Sequence, residues 1–300
     1  MPFRRVLVPL DGSPIAETGL AVLAPLAERL DSTVFLLHII ERDAPEAVHG
    51  ERHLRNAGEA RDYLGEVAGR ILPQGVTTER HVHLAPVGDV ARSIVDHATE
   101  LRADLIALCT HGRGALRHRL FGSIAQQVIA PGRTPVLLVP PEPAGPPTLG
   151  TLRHLLVPLD GTAEHESGLN LAIALAGLAG ADLHLLAVVP TLTSIAGREA
   201  ATGLLLPRAT AAVLDLAQQR AKTYLDERIT DLTARDLAAT SEVRRGDPTR
   251  SIVEAAEASD ADIIVMATHG RSGMAAFWSG SVAPRVSARA RRPLLLVPAT

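Results

Sequence analysis

The sequence predicts an α/β fold made of two tandem doubly wound domains, each an open five-stranded parallel sheet flanked by helices. Three observations lead there. Continuous apolar runs alternate with segments of helical periodicity, the whole alternation occurs twice in 300 residues, and each copy carries a glycine loop directly after an apolar run. A run such as Val34-Phe35-Leu36-Leu37 marks a strand buried on both faces, whereas Ile15, Gly19, Val22, Leu26 and Leu30 fall at helical spacing. Strands joined by short helical crossovers wind into a parallel, right-handed sheet.

In order, the first half reads as strand 5–10, helix 14–30, strand 33–40, helix 53–71, strand 78–84, helix 89–101, strand 104–109, helix 122–132 and strand 135–139. Ser13-Pro14 and, in the second half, Asp247-Pro248 each place a capping residue before a proline at the first helical position. Val6-Leu7-Val8-Pro9-Leu10-Asp11-Gly12-Ser13 lies over Leu155-Leu156-Val157-Pro158-Leu159-Asp160-Gly161-Thr162 at an offset of 149. The offset is 161 at Tyr63 and Tyr224, then 158 from Gly88-Asp89 and Gly246-Asp247 onward. The halves thus differ by one insertion and one small deletion, the insertion falling between Pro190 and Pro207 with the glycine and proline punctuation of a lid or packing loop. Pro140-Pro141-Glu142-Pro143-Ala144-Gly145-Pro146-Pro147 reads as a semi-stiff linker, giving domains 1–140 and 153–300 joined by 141–152.

Composition narrows the function. Thirty basic residues stand against 33 acidic ones, and aromatics are 2% of the chain, so neither the electrostatic footprint nor the stacking platforms of a nucleic-acid binder are present. The apolar stretch from Leu169 to Pro190 is interrupted by Asn170, Asp182, His184 and Gly177-Leu178-Ala179-Gly180; it reads as a buried helix and strand, with no membrane span. The single cysteine, Cys109, and an opening that runs straight into a strand without an apolar leader segment give a cytoplasmic expectation. Lys222 is the only lysine, so phosphate contacts in the first half fall to arginine, histidine, hydroxyls and backbone.

The repeated loops are Thr110-His111-Gly112-Arg113 with Gly122-Ser123, and Thr268-His269-Gly270-Arg271 with Gly280-Ser281; nine residues separate the two glycines in both. Strand, glycine loop and helix start together suit a phosphate, because backbone N–H groups and the positive end of the helix dipole converge there. In doubly wound sheets the ligand crevice lies beyond the carboxyl ends of the strands, where Asp11-Gly12-Ser13, Ile39-Ile40 and the His-Gly-Arg loop all fall. Arg113 is the stronger phosphate candidate because Arg271 repeats it, while Arg117-His118-Arg119 reads equally as a solvated face. His111 and His269 read as loop-holding or ligand-contacting groups, and Ser123 and Ser281 as helix caps that also meet phosphate. The scattered histidines show no repeated metal spacing, so no metal site made of protein ligands is expected.

On the Val-Pro-Leu-Asp-Gly opening, the Thr-His-Gly-Arg segment, the Gly-x9-Gly-Ser spacing and the Pro-Val-Leu-Leu-Val-Pro ending, the sequence resembles a tandem universal stress protein. The resemblance covers nearly the whole chain and implies an adenine-nucleotide alpha-hydrolase-like fold. In ATP-binding members of that family the first-strand aspartate and an apolar residue at the end of the second strand hold adenosine, and the glycine loop wraps ribose and phosphates. Carried over by position, this implicates Pro9, Asp11, Ile39, Leu108, His111, Gly112, Gly122, Ser123 and Ile124, and in the second half Pro158, Asp160, Val188, Met266, His269, Gly270, Gly280, Ser281 and Val282. The family pattern has a glycine three residues before Gly112 and Gly270, where this chain has Cys109 and Ala267; the first loop is the more basic. Two unequal sites are therefore expected.

The resemblance implies a cytoplasmic, ATP-binding stress sensor or regulator, with Mg²⁺ arriving on the nucleotide and regulatory proteins, as yet unknown, as partners. Val136-Leu137-Leu138-Val139 and Leu294-Leu295-Leu296-Val297 are apolar edge candidates, and in similar proteins such strands pair; the halves are expected to form an internal pseudo-dimer, with a homodimer of chains beyond it. Two alternatives stand beside this reading: a slow ATP hydrolase or phosphotransferase, and a dimerisation protein that binds no nucleotide.

Overall fold

The computed structural model describes the chain apart from residues 1, 42–46, 49–50, 53, 55, 88, 111–122, 131–132, 142–148, 150–151, 192–206, 269–281 and 300. In the first half β1 (Arg5–Pro9), α1 (Pro14–Arg29), β2 (Thr33–Glu41), the two-residue strands β3 (Ala47–Val48) and β4 (Glu51–Arg52), α2 (Ala57–Ile71), β5 (Thr77–Val87), α3 (Val90–Glu100), β6 (Leu105–Cys109), α4 (Ser123–Ile129) and β7 (Val136–Val139) follow one another. The second half repeats the pattern as β8 (His154–Leu159), α5 (Glu166–Ala179), β9 (Asp182–Val189), α6 (Pro207–Thr233), β10 (Ala239–Arg245), α7 (Pro248–Ala258), β11 (Ile263–Thr268), α8 (Val282–Ser287) and β12 (Leu294–Pro298).

Ten of the twelve strands form one sheet in the order β10-β9-β8-β11-β12-β7-β6-β1-β2-β5, and β3 and β4 pair antiparallel apart from it. Within that sheet each half is parallel throughout, with its first strand in the middle of its own five. The halves meet at β12 and β7, which pair antiparallel through Leu294↔Leu138, Leu295↔Leu137 and Leu296↔Val136. The apolar run of each last strand, an exposed edge if left alone, is thereby buried. Alternation along the strands sends side chains to two cores. Leu20, Leu23 and Leu64 of the first half and Leu169, Leu225 and Leu232 of the second lie on one face, and Ile94, Val128, Ile252 and Val286 lie on the other. Thus α1, α2, α5 and α6 cover one side, and α3, α4, α7 and α8 the other. The start of each half is clamped by a carboxylate: Asp104 accepts the backbone N–H groups of Arg4 and Arg5 at 2.8 and 2.9 Å, and Asp262 accepts those of Arg153 and His154 at 2.7 and 3.0 Å.

Boundaries shift where local chemistry overrides periodicity. The second helix starts at Ala57, not at 53, because Asn56 caps it by accepting from Gly58 N at 2.7 Å and residues 51–52 pair with 47–48. β5 runs on to Val87, facing a register shift in β2 between Ile39 and Glu41. The fourth helix covers 123–129, shorter than the 122–132 span expected. With Tyr63 and Tyr224 in register, Ala57 matches Gln218, so the first eleven residues of the 27-residue α6 (218 − 207 = 11) have no counterpart in the 15-residue α2. The extra residues of the second half therefore extend past the expected 190–207 insertion into a helix. Arg245 anchors that extension, donating to Asp215 at 2.8 Å and to Gln218 at 3.2 Å. Leu149 and Leu152, ahead of the second half, are buried, and Leu149 N donates to Val22 O at 3.1 Å.

Candidate functional site

The first and fourth strands of each half separate toward their carboxyl ends. β1 pairs with β6 only at Val6↔Leu105 and Leu7↔Ile106, but stays paired with β2 through Pro9↔Leu37. β8 and β11 likewise pair only at Leu155↔Ile263 and Leu156↔Ile264, while β8 follows β9 as far as Leu159↔Ala187. The helices that follow these strands, α1 and α4 in the first half and α5 and α8 in the second, leave for opposite faces, so a crevice opens at the switch point of each half.

The structure gathers the described members of the expected site around these crevices. Pro9 closes β1 and Asp11 follows it; Ile39 and Leu108, 6% and 7% exposed, stand near the ends of β2 and β6. Ile124, in the first turn of α4, is 37% exposed. In the second half Pro158 lies in β8 with Asp160 just beyond, Val188 is in β9, Met266 is a buried residue of β11, and Val282 opens α8. His111, Gly112, Arg113 and Gly122, and His269, Gly270, Arg271, Gly280 and Ser281, lie outside the described residues, and Ser123 is described only as the first residue of α4.

Each aspartate sits before a glycine in the left-handed region, Gly12 at φ 92° and Gly161 at φ 79°, a conformation that favours glycine and lets the chain turn sharply off the strand. Beyond that turn the halves part company. In the first, Asp11 Oδ1 accepts from Ser13 N at 2.9 Å, and the buried Ser13 hydroxyl caps α1 by accepting from Ala16 N at 3.2 Å. Leu54 covers the turn, with its side chain 3.2 Å from where a Cβ on Gly12 would stand. His38, 1% exposed, joins these pieces, its Nδ1 lying 2.8 Å from Leu10 O and its Nε2 3.2 Å from Leu54 O.

In the second half Thr162 makes no side-chain cap. A short 3₁₀ turn, Ala163–His165, intervenes before α5. Thr162 donates to Asp160 Oδ1 from its backbone at 3.0 Å and its hydroxyl at 2.8 Å, and His165 Nδ1 reaches Asp160 Oδ2 at 2.5 Å. Desolvation works to raise the Asp160 carboxyl, but the hydrogen bonds from Thr162 and His165 outweigh it and hold the group below the ordinary carboxylate range.

Both crevices also have a duplicated phenol and carboxylate beside the turn. Glu17 and Glu166 occupy the same position at the 149 offset (17 + 149 = 166), as Tyr63 and Tyr224 do at 161. Tyr224 donates to Glu166 Oε1 at 3.0 Å, and Arg228 reaches the same oxygen at 3.3 Å; in the first half Arg70 pairs with Glu17 at 2.6 Å. Burial, then the neighbouring glutamate, pushes both phenols well above their ordinary range, so they stay neutral at any physiological pH. Sequence reasoning used these tyrosines only as markers of register. The matching glutamates were the signal that the pairs belong to the repeated site. His38 and His165 carry no such signal, because their repeat partners are Ala187 and Ala16.

Among the described residues no group of three or more histidine, cysteine, aspartate or glutamate side chains is placed to hold a metal, and no helix is long and apolar enough to cross a membrane. A cavity of about 500 Å³, lined by Val95, Asp96, Thr99, Glu100 and Arg133, lies at the opposite, amino ends of the strands and has no part in the crevices.

A doubly wound sheet carrying two copies of one strand-end crevice, fused through its last strands, defines a tandem α/β protein of duplicated origin. The profile of the universal stress protein family matches residues 2–140 and again 151–298, and the chain belongs to that family. The universal stress protein Sll1654 of Synechocystis is 32% identical over 139 residues, 46% of this chain and 86% of that protein. A universal stress protein of Mycolicibacterium smegmatis is 24% identical over 318 residues, covering 97% of this chain and 96% of its own. The crystal structure of a universal stress protein from Archaeoglobus fulgidus superposes with a TM-score of 0.71 at 19% identity, over 98% of this chain and 96% of that one, and so has the same tandem fold.

Proposed function

We propose that this chain is an adenine-nucleotide-binding regulator, taking ATP with Mg²⁺ in at least the first crevice and signalling its state to protein partners in the cytoplasm. The parting of β1 and β6 beyond Leu7↔Ile106 carries the reading: it opens a cleft with the Asp11 carboxylate at the end of one strand and the apolar Leu108 at the end of its neighbour. A carboxylate acceptor beside the apolar Ile39 and Leu108 suits a nucleoside, whose hydroxyls and amino group donate and whose base is flat and apolar on its faces. The repeated glycine loops, with Arg113 and Arg271, are the proposed phosphate contacts. Mg²⁺ is proposed to ride on the phosphates. A binding role is preferred to turnover because the first half carries no lysine for a phosphate site. The paired halves are proposed to work as an internal dimer, with two chains associating beyond it.

Calorimetric titration of the intact chain with ATP and Mg²⁺ tests this. Binding is expected in the wild type and a loss of at least tenfold in affinity with Asp11→Ala. Binding that ignores that substitution, or no binding at all, would remove the basis for the proposal.

A further inference from the structure

The second crevice holds something the first lacks. At the 149 offset His165 stands where the first half has Ala16 (165 − 149 = 16), and the 3₁₀ turn swings its imidazole back toward the strand end. The ring is only 11% exposed while the Asp160 side chain is 49% exposed, so it is packed into the mouth of the crevice and does not wave from the surface. Both oxygens of the carboxylate have partners from their own turn: Oδ1 takes two hydrogen bonds from Thr162, and Oδ2 takes His165 Nδ1 at 2.5 Å, with Thr162 Oγ1 a further 3.0 Å from the same ring nitrogen. An imidazole N–H aimed at a carboxylate supplies the contact that a nucleoside hydroxyl or amino group would make. The two donors compete for one oxygen and for the same space.

We infer that His165 is a built-in competitor for the second crevice, closing Asp160 to a nucleotide until the imidazole is displaced. This rests on the reading of the crevices as nucleotide sites. Among the described residues Glu166 follows the ring in the chain, and Arg228 on α6 is committed to Glu166 at 3.3 Å and Asp231 at 3.5 Å, with Tyr224 also donating to Glu166. The second half therefore takes its ligand less readily than the first, where Ala16 stands in place of the histidine.

The test is titration of the full chain with ATP and Mg²⁺ for the wild type, Asp11→Ala, Asp11→Ala/His165→Ala and Asp11→Ala/His165→Ala/Asp160→Ala, with thermal melts to confirm folding. The wild type is expected to bind one strong equivalent that Asp11→Ala removes. Adding His165→Ala restores one equivalent, at least tenfold stronger than any residual binding in Asp11→Ala, and adding Asp160→Ala abolishes it. Two equal equivalents in the wild type, or a first site lost with Asp11→Ala and no gain from His165→Ala, would overturn the inference and leave the proposed function standing. No binding by any of the four chains would overturn both.

Discussion

The turn after the first strand is the most instructive place to compare the two halves. In both, a strand ends in Pro-Leu-Asp-Gly, the glycine turns in the left-handed region, and a hydroxyl residue follows. In the first half Ser13 is followed by Pro14 and the helix begins at once, with the serine hydroxyl spent on the Ala16 N–H. In the second half the proline is replaced by Ala163, a 3₁₀ turn fills the gap, and α5 starts three residues later in the repeat, at Glu166. The threonine hydroxyl, released from capping, turns back to Asp160 and His165 joins it. One capping choice thus decides whether the hydroxyl is spent on the helix or on the carboxylate. Duplication preserves the strand ends and frees the turn between them to diverge.

The comparison breaks most visibly where the halves touch. Leu137 and Leu295 are the same position of the repeat (137 + 158 = 295), each 1% exposed, and they face one another across the seam. Leu137→Ala and Leu295→Ala should each cost about 2–5 kcal/mol, and by nearly equal amounts, in urea unfolding. A difference of more than twofold would show that the seam is not the symmetric joint its register implies. The next largest effect separates the halves. A Cβ on Gly168 would stand 2.8 Å from Ala267 N and 3.2 Å from Met266 C, rigid backbone on both counts, while one on Gly19 would meet Cys109 N at an ordinary 3.6 Å. Gly168→Ala should destabilise by about 1–3 kcal/mol. Gly19→Ala should be neutral or stabilising by up to about 1 kcal/mol, since alanine suits a helix better than glycine. Equal effects at the two glycines would mean that α5 is not seated closer to its sheet than α1.

Smaller still is the capping contrast. Ser13→Ala removes a side-chain cap and should cost about 1 kcal/mol. Thr162→Ala removes no cap and should stay within about 0.5 kcal/mol of wild type in the same denaturant series. If Thr162→Ala proves the costlier of the two, Asp160 and Thr162 form a structural element, and the divergence of the turn has no bearing on ligand access.

Much of this architecture was legible in the sequence for a physical reason: burying a parallel strand on both faces demands an unbroken apolar run, and joining parallel neighbours demands a crossover of a dozen or more residues that is usually a helix. Val34 to Leu37 and Ile263 to Met266 announce themselves on that ground. The crevice positions were legible because Asp-Gly after a strand recurs at one offset. Ends of helices were less so, since they depend on single caps; Asn56 moved the start of α2 by four residues. Least legible were His38 and His165. Each makes its contacts to groups that are remote in sequence or brought near only by an unusual turn, and neither repeats, so no pattern within the chain marks them out.

The smallest effect goes to the centre of the comparison. The Asp160 carboxyl is held below the ordinary range in the folded protein. Its ionised form therefore contributes stability that is present above the unfolded value of about 3.9 and is lost as pH falls through the folded one. The group is half exposed and solvent screens it, so the contribution at neutral pH should be below about 1 kcal/mol. Unfolding midpoints measured between about pH 6 and pH 2.5 should fall more steeply for the wild type than for Asp160→Asn, the two curves converging at the acid end. His165→Ala should flatten the wild-type curve part of the way, because one of the three hydrogen bonds to the carboxylate is gone. Parallel curves for wild type and Asp160→Asn would mean that solvent, and not Thr162 and His165, holds that carboxylate in solution, and His165 would then be no competitor for a ligand there.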